Sequence, residues 1–387
     1  MSMNAERYQA VVIGAGLVGA ATALALGRQG LRVALIERAA PAVPDATWDT
    51  RIYALTPANQ RYLAALGAWQ RVDAARVQPV YRMDIAGDGS GSVRLDAYAS
   101  GTAQLAFIFE SGRLQHALWD TLIEAGEVAV HCPAGLAGIE RDGTDTHIRL
   151  EDGTTLTTQL VIGADGANSR IRDWAGLAAT VSPYGQSGTV ANFECEKPHR
   201  GTAFQWFFDS DILAFLPLPG NRMSMVWSTR TAHANELVAL PADALAEQVR
   251  ETGHDTLGAL RVVTPAAAFP LRLIRVEAPV APGVALVGDA AHGVHPLAGQ
   301  GVNLGFGDVE ALAGVLAAHR RAHLGDPRML AQYARARAEP VARMQAVTHS
   351  LHHLFADARA RGLRNAGMSI VDRIPPLKAV LVREAMS

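Results

Sequence analysis

The apolar run from Tyr8 to Ile13 feeds Gly14-Ala15-Gly16-Leu17-Val18-Gly19, an alanine-rich stretch to about Gln29, and a second apolar run from Leu31 to Ile36 that ends in Glu37. Strand, glycines, helix, strand and terminal acid in this order predict a βαβ unit that binds a dinucleotide. Gly14 permits the tight turn, Gly16 lets a pyrophosphate approach the helix N-terminus, and Gly19 allows close helix-strand packing. Glu37 falls at the distance where a carboxylate accepts ribose hydroxyls. A bare GxGxxG without this context would carry little weight.

A second block runs Gly288-Asp289-Ala290-Ala291-His292-Gly293-Val294-His295-Pro296-Leu297-Ala298-Gly299-Gln300-Gly301-Val302-Asn303-Leu304-Gly305. A predicted strand, Val284 to Val287, delivers Asp289, whose carboxylate suits a ribityl hydroxyl. The glycines after it let backbone amides press against a planar ring, so the block reads as one wall of a flavin site. A glycine-rich turn with only a packing role is the alternative. A third segment, Leu160-Val161-Ile162-Gly163-Ala164-Asp165-Gly166-Ala167-Asn168-Ser169-Arg170, is a strand ending in Asp-Gly, ordinarily just a turn.

Together the three segments resemble the signatures of the class A flavoprotein aromatic monooxygenases, the p-hydroxybenzoate hydroxylase-like superfamily, in order. Within it, His292 to Asn303 and the closing Ile374-Pro375-Pro376-Leu377-Lys378 resemble the ubiquinone-biosynthesis hydroxylases, over essentially the full length. The resemblance implies non-covalent FAD, dioxygen, a flavin C4a-hydroperoxide and ring hydroxylation of a polyprenylated phenol. NAD(P)H or a separate electron donor would supply reducing equivalents, since no second glycine fingerprint appears.

By the same resemblance Gly14, Ala15, Gly16 and Gly19 approach the pyrophosphate, Glu37 with Arg38 holds the adenosine ribose, and Asp289 binds the ribityl chain. The Pro296 carbonyl lies beside the reacting edge, and backbone amides of Gly299, Gln300, Gly301, Val302 and Asn303 stabilise charge at the flavin N1-C2 carbonyl region. Arg51 reaches the flavin and its phosphates, or is a solvated residue leading into a helix. Arg113 is a phosphate ligand in a segment where Glu110-Ser111-Gly112 departs from the family's Glu-Asn. Asp165 is equally a structural or a catalytic residue. Two other readings stay open: a hydroxylase of a small soluble phenol or heteroaromatic acid, and a non-catalytic flavoprotein subunit of a biosynthetic complex.

The expected fold is α/β: a Rossmann-like FAD-binding domain (residues 1–75, 100–175 and 280–387, with C-terminal helices) interleaved with a mainly antiparallel substrate domain (76–99 and 176–279). Runs Ala203 to Phe208, Ile212 to Leu216 and Arg222 to Thr229 read as its strands, with turns at Asp209-Ser210 and Pro219-Gly220-Asn221 and one helix, Ala242 to Thr252. Helices are expected at Leu114 to Glu124, Val309 to Ala317, Pro327 to Ala360 and Pro376 to Ala385. Phe204, Trp206, Phe207, Phe208, Phe215 and Trp227 are candidates for a greasy pocket, although alternation sends about half of them to the core.

With 387 residues and a net charge of −2 the chain gives no reason to expect nucleic-acid binding. Two cysteines, Cys132 and Cys195, and no signal peptide favour a reducing cytoplasm. No segment reads as a membrane span. Leu351, Leu354 and Phe355 followed by Arg359, Arg361 and Arg364 suit either a basic peripheral membrane contact or core packing. His292 and His295, and the trio His349, His352 and His353, lack a further ligand of matching pattern, so no metal site is expected; His292 is read as packing the flavin loop.

Overall fold

Ala10 to Ile13 is apolar at successive positions because this part of the strand is buried on both faces, as central parallel strands are. A computed structural model describes residues 6–208, 211–295, 299–319, 322–356, 361–374, 378 and 382. In it Glu6–Ile13 lies between Val33–Ile36 and Thr155–Gly163, parallel to both, and Val128–His131 and Val284–Leu286 extend the parallel sheet at either side. Ala10, Val12, Leu35, Leu160 and Ile162 face helices Leu17–Arg28, Ser111–Ala125 and Gly301–Ala318. Val11, Ile13, Ala34 and Val161 face a second core closed by the antiparallel strands Leu136–Asp142 and Asp145–Leu150.

A nine-stranded sheet forms the other half. Its main path runs His292–Gly293, Ala267–Val276, Ala179–Cys195, Arg222–Arg230, Asp211–Leu218, Thr202–Phe208, Arg82–Ala86 and Ser92–Asp96, with Leu260–Val262 branching from Ala179–Cys195. All pairs are antiparallel except Thr202–Phe208 with Arg82–Ala86. The three expected strands are there, and the helix Ala242–Thr252 has the expected bounds. A second helix, Thr231–Ala239, was not foreseen. Asp209 and Ser210 lie outside the described residues.

These two helices account for most of the aromatic residues. Trp206, Phe215 and Trp227 pack with Leu237, Leu245 and Val249 in one buried cluster, with Phe204 and Phe208 against it. They form the core beneath the helices and not a pocket over the cofactor half. Phe207 alone turns to the opposite face, where it stacks on Phe355 at 4.0 Å.

The helix expected from Val309 begins eight residues earlier, at Gly301. Its glycines are contact points: a Cβ at Gly305 would fall 2.5 Å from Val18 Cγ2 on the N-terminal helix. This helix has the length and hydropathy of a membrane span, contrary to the sequence expectation, yet it packs in the core through Phe306, Val309, Leu312 and Leu316. Pro327–Ala356 follows, and Arg361–Arg373 is an unforeseen helix. Of the two readings of the segment from Leu351 to Arg364, Phe355 and Arg364 follow core packing. Phe355 is buried, and Arg364 is buried in an ion pair with Asp88; Arg359 lies outside the described residues. So does the expected helix from Pro376, apart from Lys378 and Val382.

The tightest point of the N-terminal half is testable. A Cβ at Gly19 would lie 1.9 Å from the Gly14 carbonyl oxygen, whereas one at Gly30 (φ +76°) meets nothing within 4 Å. Gly19→Ala should therefore lower the unfolding free energy by roughly 1–3 kcal/mol through overpacking. Gly30→Ala should cost only the left-handed backbone penalty of about 1–2 kcal/mol. Urea midpoints measured side by side check the order, with Gly19→Ala the more damaging of the two.

Candidate cofactor site

Two glycine-bearing loops meet where the parallel strands end. Gly14, at φ +102°, turns the chain, and its amide donates to Ile36 O at 2.9 Å. A Cβ here would strike the Ala164 carbonyl oxygen at 2.5 Å, so the Asp165 segment presses directly on the fingerprint. Gly16 caps the helix Leu17–Arg28, and a Cβ there would meet nothing within 4 Å. The loop thus has one glycine against the Asp165 segment, one, Gly19, against the Gly14 carbonyl and Ala164, and one facing open space at a helix N-terminus, the place where backbone amides receive an anion.

Glu37 is bound into this loop. Its Oε2 accepts from the Ala15 amide at 2.6 Å and its Oε1 from the Arg38 amide at 2.7 Å. Gln115, not singled out from sequence, donates to Ala15 O at 3.1 Å. The Arg38 side chain is exposed.

The second loop hangs on Asp308, a residue that sequence reading passed over. Its fully buried carboxylate accepts from the Gly288 amide at 2.9 Å, from His292 Nε2 at 2.7 Å and from Arg337 Nε at 2.6 Å. Burial would raise this carboxyl, but His292, Arg337 and the Gly288 amide together hold it below its ordinary value. His292 is accordingly a hydrogen-bonded anchor of the loop rather than simple packing. The available sequence signal was an acid in a mostly apolar stretch, which when buried is rarely left without a partner.

Asp289, next to that anchor, shows the complementary behaviour. Its side chain is exposed, yet dense protein around it pushes its carboxyl up, with His292 opposing and Asp308 adding. Asp289 is thus a solvent-reachable carboxyl beside the two glycine loops, in the recess between them. Tyr53 is raised by burial, with the Asp289 charge contributing, which places it near the same recess.

The helix start lies opposite. Gly299 has φ +60° and a Cβ there would sit 3.6 Å from Ala54 Cβ. The first helical bond runs from Leu304 N to Gln300 O at 3.0 Å, so the amides of Gly301, Val302 and Asn303 have no acceptor within the helix. The Asn303 side chain is spent on protein: Oδ1 accepts from Thr56 N at 2.9 Å, and Nδ2 donates to Ala54 O at 2.8 Å. Any ligand contact from Asn303 is left to its backbone. Pro296, with Leu297 and Ala298, lies outside the described residues.

Asp165 is structural in form: Oδ1 accepts from Ser169 Oγ at 2.5 Å, and Oδ2 from the amides of Arg170 at 2.7 Å and Ile171 at 3.2 Å. The arginine that joins the Asp165 and Asp289 loops is Arg172, buried, donating to Ala167 O at 3.1 Å and Ala290 O at 3.3 Å. Arg51 is exposed, with no ion pair to its side chain among the described residues. Arg113 turns inward, donating to Glu110 Oε2 at 2.9 Å and to Asp45 O at 2.5 Å.

Two consequences of the Asp308 anchor can be measured. Asp308→Asn leaves His292 and Arg337 without their buried counter-charge and should cost about 3–5 kcal/mol in urea unfolding. Because Asp308 titrates below its unfolded value, its contribution is present at neutral pH and is lost as pH falls below the ordinary value of 3.8. Unfolding midpoints between pH 3 and 7 should then fall more steeply in acid for the wild type than for Asp308→Asn.

Residues 7–348 match the family model described as an FAD binding domain. The chain is 35% identical over 381 residues to ubiquinone hydroxylase UbiL of Rhodospirillum rubrum, covering 97% of this chain and 89% of that protein. It is 37% identical over 318 residues to 3-demethoxyubiquinol 3-hydroxylase of Escherichia coli, covering 81% of each. It is 32% identical over 428 residues to the human ubiquinone biosynthesis monooxygenase COQ6, covering 96% of this chain and 91% of that one. Among solved structures, PqsL of P. aeruginosa in complex with 2-aminobenzoylacetate superimposes with a TM-score of 0.79 at 25% identity, over 94% of this chain and 99% of PqsL. The p-nitrophenol 4-monooxygenase PnpA of Pseudomonas putida shares the fold, with a TM-score of 0.80 at 18% identity, over 99% of each chain. With open glycine at one helix start, unpaired amides at another and an accessible carboxylate between them, the chain fits the FAD that these matches require, and it belongs to the FAD-dependent monooxygenases of the ubiquinone-biosynthesis hydroxylase family.

Proposed function

We propose that this enzyme hydroxylates the aromatic ring of a polyprenylated phenol in ubiquinone biosynthesis. The observation that carries the reading is likeness to ubiquinone hydroxylases along nearly the whole chain, joined to a recess bounded by the two glycine loops. In this reading residues 1–75, 100–175 and 280–387 serve the cofactor and residues 76–99 and 176–279 the substrate. Gly14, Ala15, Gly16 and Gly19 hold the pyrophosphate, Glu37 the ribose, and Asp289 the ribityl chain. Arg51 is the cation available to the phosphates, and Arg113 reaches them only by leaving Glu110.

Reduced FAD supplies the activation of dioxygen. The chain contributes placement and field: amides of Gly301, Val302 and Asn303 at a helix N-terminus favour negative charge at the ring, and the surrounding wall excludes water. A transiently bound NAD(P)H or a separate protein donor reduces the enzyme. Its apolar substrate places it in the cytoplasm at a membrane surface, alone or within a biosynthetic complex.

The purified protein should be yellow with one FAD per chain. Asp289→Ala, at an exposed position that leaves the fold intact, should lose most of it on gel filtration, read from flavin absorbance; full retention would remove Asp289 from the site. Gly299→Ala strains a left-handed backbone without a clash, so FAD affinity should change by less than about threefold while oxygen-dependent hydroxylation falls at least about tenfold. Deleting the gene in its host and profiling quinone intermediates by mass spectrometry tests the substrate. A precursor lacking one oxygen supports the proposal and locates the carbon attacked; normal ubiquinone under air, with no redundant hydroxylase, favours a small soluble phenol.

A further inference from the structure

Side-chain alternation decides which face of the nine-stranded sheet meets the cofactor half. On Ala179–Cys195, Ala191, Phe193 and Cys195 point into the helix-covered core. On the other face Gln186 Oε1 lies 3.2 Å from His295 Nε2, and Asn192 donates to Asp49 O at 2.8 Å. Between these two contacts the same face presents only Gly188 and Val190.

The register extends that gap across the sheet. Val190 is opposite Ala267 on one neighbour and Val226 on the other; Val226 is opposite Ala214, and Ala214 is opposite Gln205. Paired residues share a face, so these side chains form one row. Val226 and Ala214 belong to interior strands, yet they are only partly buried, whereas Met225 and Leu213 behind them are fully buried. The face is filled on both flanks, by the cluster around Ile52, Val80 and Leu218 and by Phe207, Ile212 and Phe355. Among the described residues, what lies between is a trough floored by small apolar side chains, with no charge along the row.

Its two ends differ. Gln205, a buried amide, closes the inner end, while Ala267 is exposed at the outer end. Beside Ala267, Phe269 is 40% exposed and lies across Gly188, where a Cβ would be 3.0 Å from the ring. Four strand spacings of about 4.8 Å make the row, from Ala267 to Gln205, roughly 19 Å long.

We propose that this row binds the isoprenoid tail of the substrate, with the phenol head toward Gln205 and the tail leaving past Ala267 and Phe269. The proposal rests on the hydroxylase reading above and adds where, and in which direction, the tail runs. It also assigns the apolar contact to the face opposite Trp206 and Trp227.

Isothermal titration of the FAD-loaded protein with farnesol, a three-isoprene alcohol, tests the trough without turnover. Each methylene excluded from an apolar site lowers affinity roughly fourfold. Val226→Phe should therefore weaken farnesol at least about tenfold, and Phe269→Ala, at an exposed position, roughly threefold. Trp206→Phe, on the opposite face, should stay within about twofold. Equal farnesol affinity in wild type and Val226→Phe, loss in Trp206→Phe alone, or no binding to wild type would overturn the trough. A parallel assay compares phenols carrying one and several isoprene units, with Val226→Phe expected to impair only the longer. Farnesol binding without hydroxylation of any phenol would sink the functional reading and leave the trough. Hydroxylation with the same loss at every tail length in Val226→Phe would do the reverse.

Discussion

The Asp308 carboxylate is the constraint on which the rest of the site depends. A wholly buried negative charge is tolerated only when donors surround it, and here they come from two separate parts of the chain: the Gly288 amide and His292 of the glycine loop, and Arg337. Each donor fixes a different element. Gly288 begins the turn that aims Asp289, His292 starts a short strand, and Arg337 ties in the long helix Pro327–Ala356, also reaching Leu304 O at 3.0 Å. The charge therefore acts as a point of registry between the glycine loop and the helices behind it.

Around that anchor, adjacent acids are made to do opposite things. Asp308 is fully enclosed and held ionised by its partners, while Asp289 keeps its oxygens accessible and carries the cost of its crowded surroundings. The same division appears among amides. That of Gly288 is consumed in holding the loop, whereas those of Gly301 to Asn303 point out of a helix start whose side-chain contacts, through Asn303 to Thr56 and Ala54, are already satisfied. Rigid support and available chemistry are assigned to different atoms of the same residues.

Much of this was legible in the sequence where the pattern was local. The fingerprint lies on strand, turn and helix as its spacing predicts, and the runs around 203–208, 212–216 and 222–229 form adjacent strands. Local pattern failed where the answer depended on distant partners. Alternation could not say which face of the aromatic strands would be covered, because that is settled by helices packed from elsewhere in the chain, among them Thr231–Ala239, which buries Ala234 and Leu237. Gly305 and Gly307 lie inside the helix, and nothing local reveals that Val18 and the Arg337 guanidinium need the space. Arg172 and Arg364 look like surface charges until their carbonyl and carboxylate partners, over a hundred residues away in sequence, are in view.

His292 and Gly293 pair with Arg275 and Ile274, which makes part of the flavin loop the edge strand of the nine-stranded sheet. The boundary between the halves thus runs through a hydrogen-bonded ladder, with no linker there to cut. Chimeras that exchange the sheet between relatives would have to carry residues 267–276 and 288–293 as one cassette, together with the acid at 308. A crossover placed between them would separate the loop from the strand that orients it, however well each parent folds by itself.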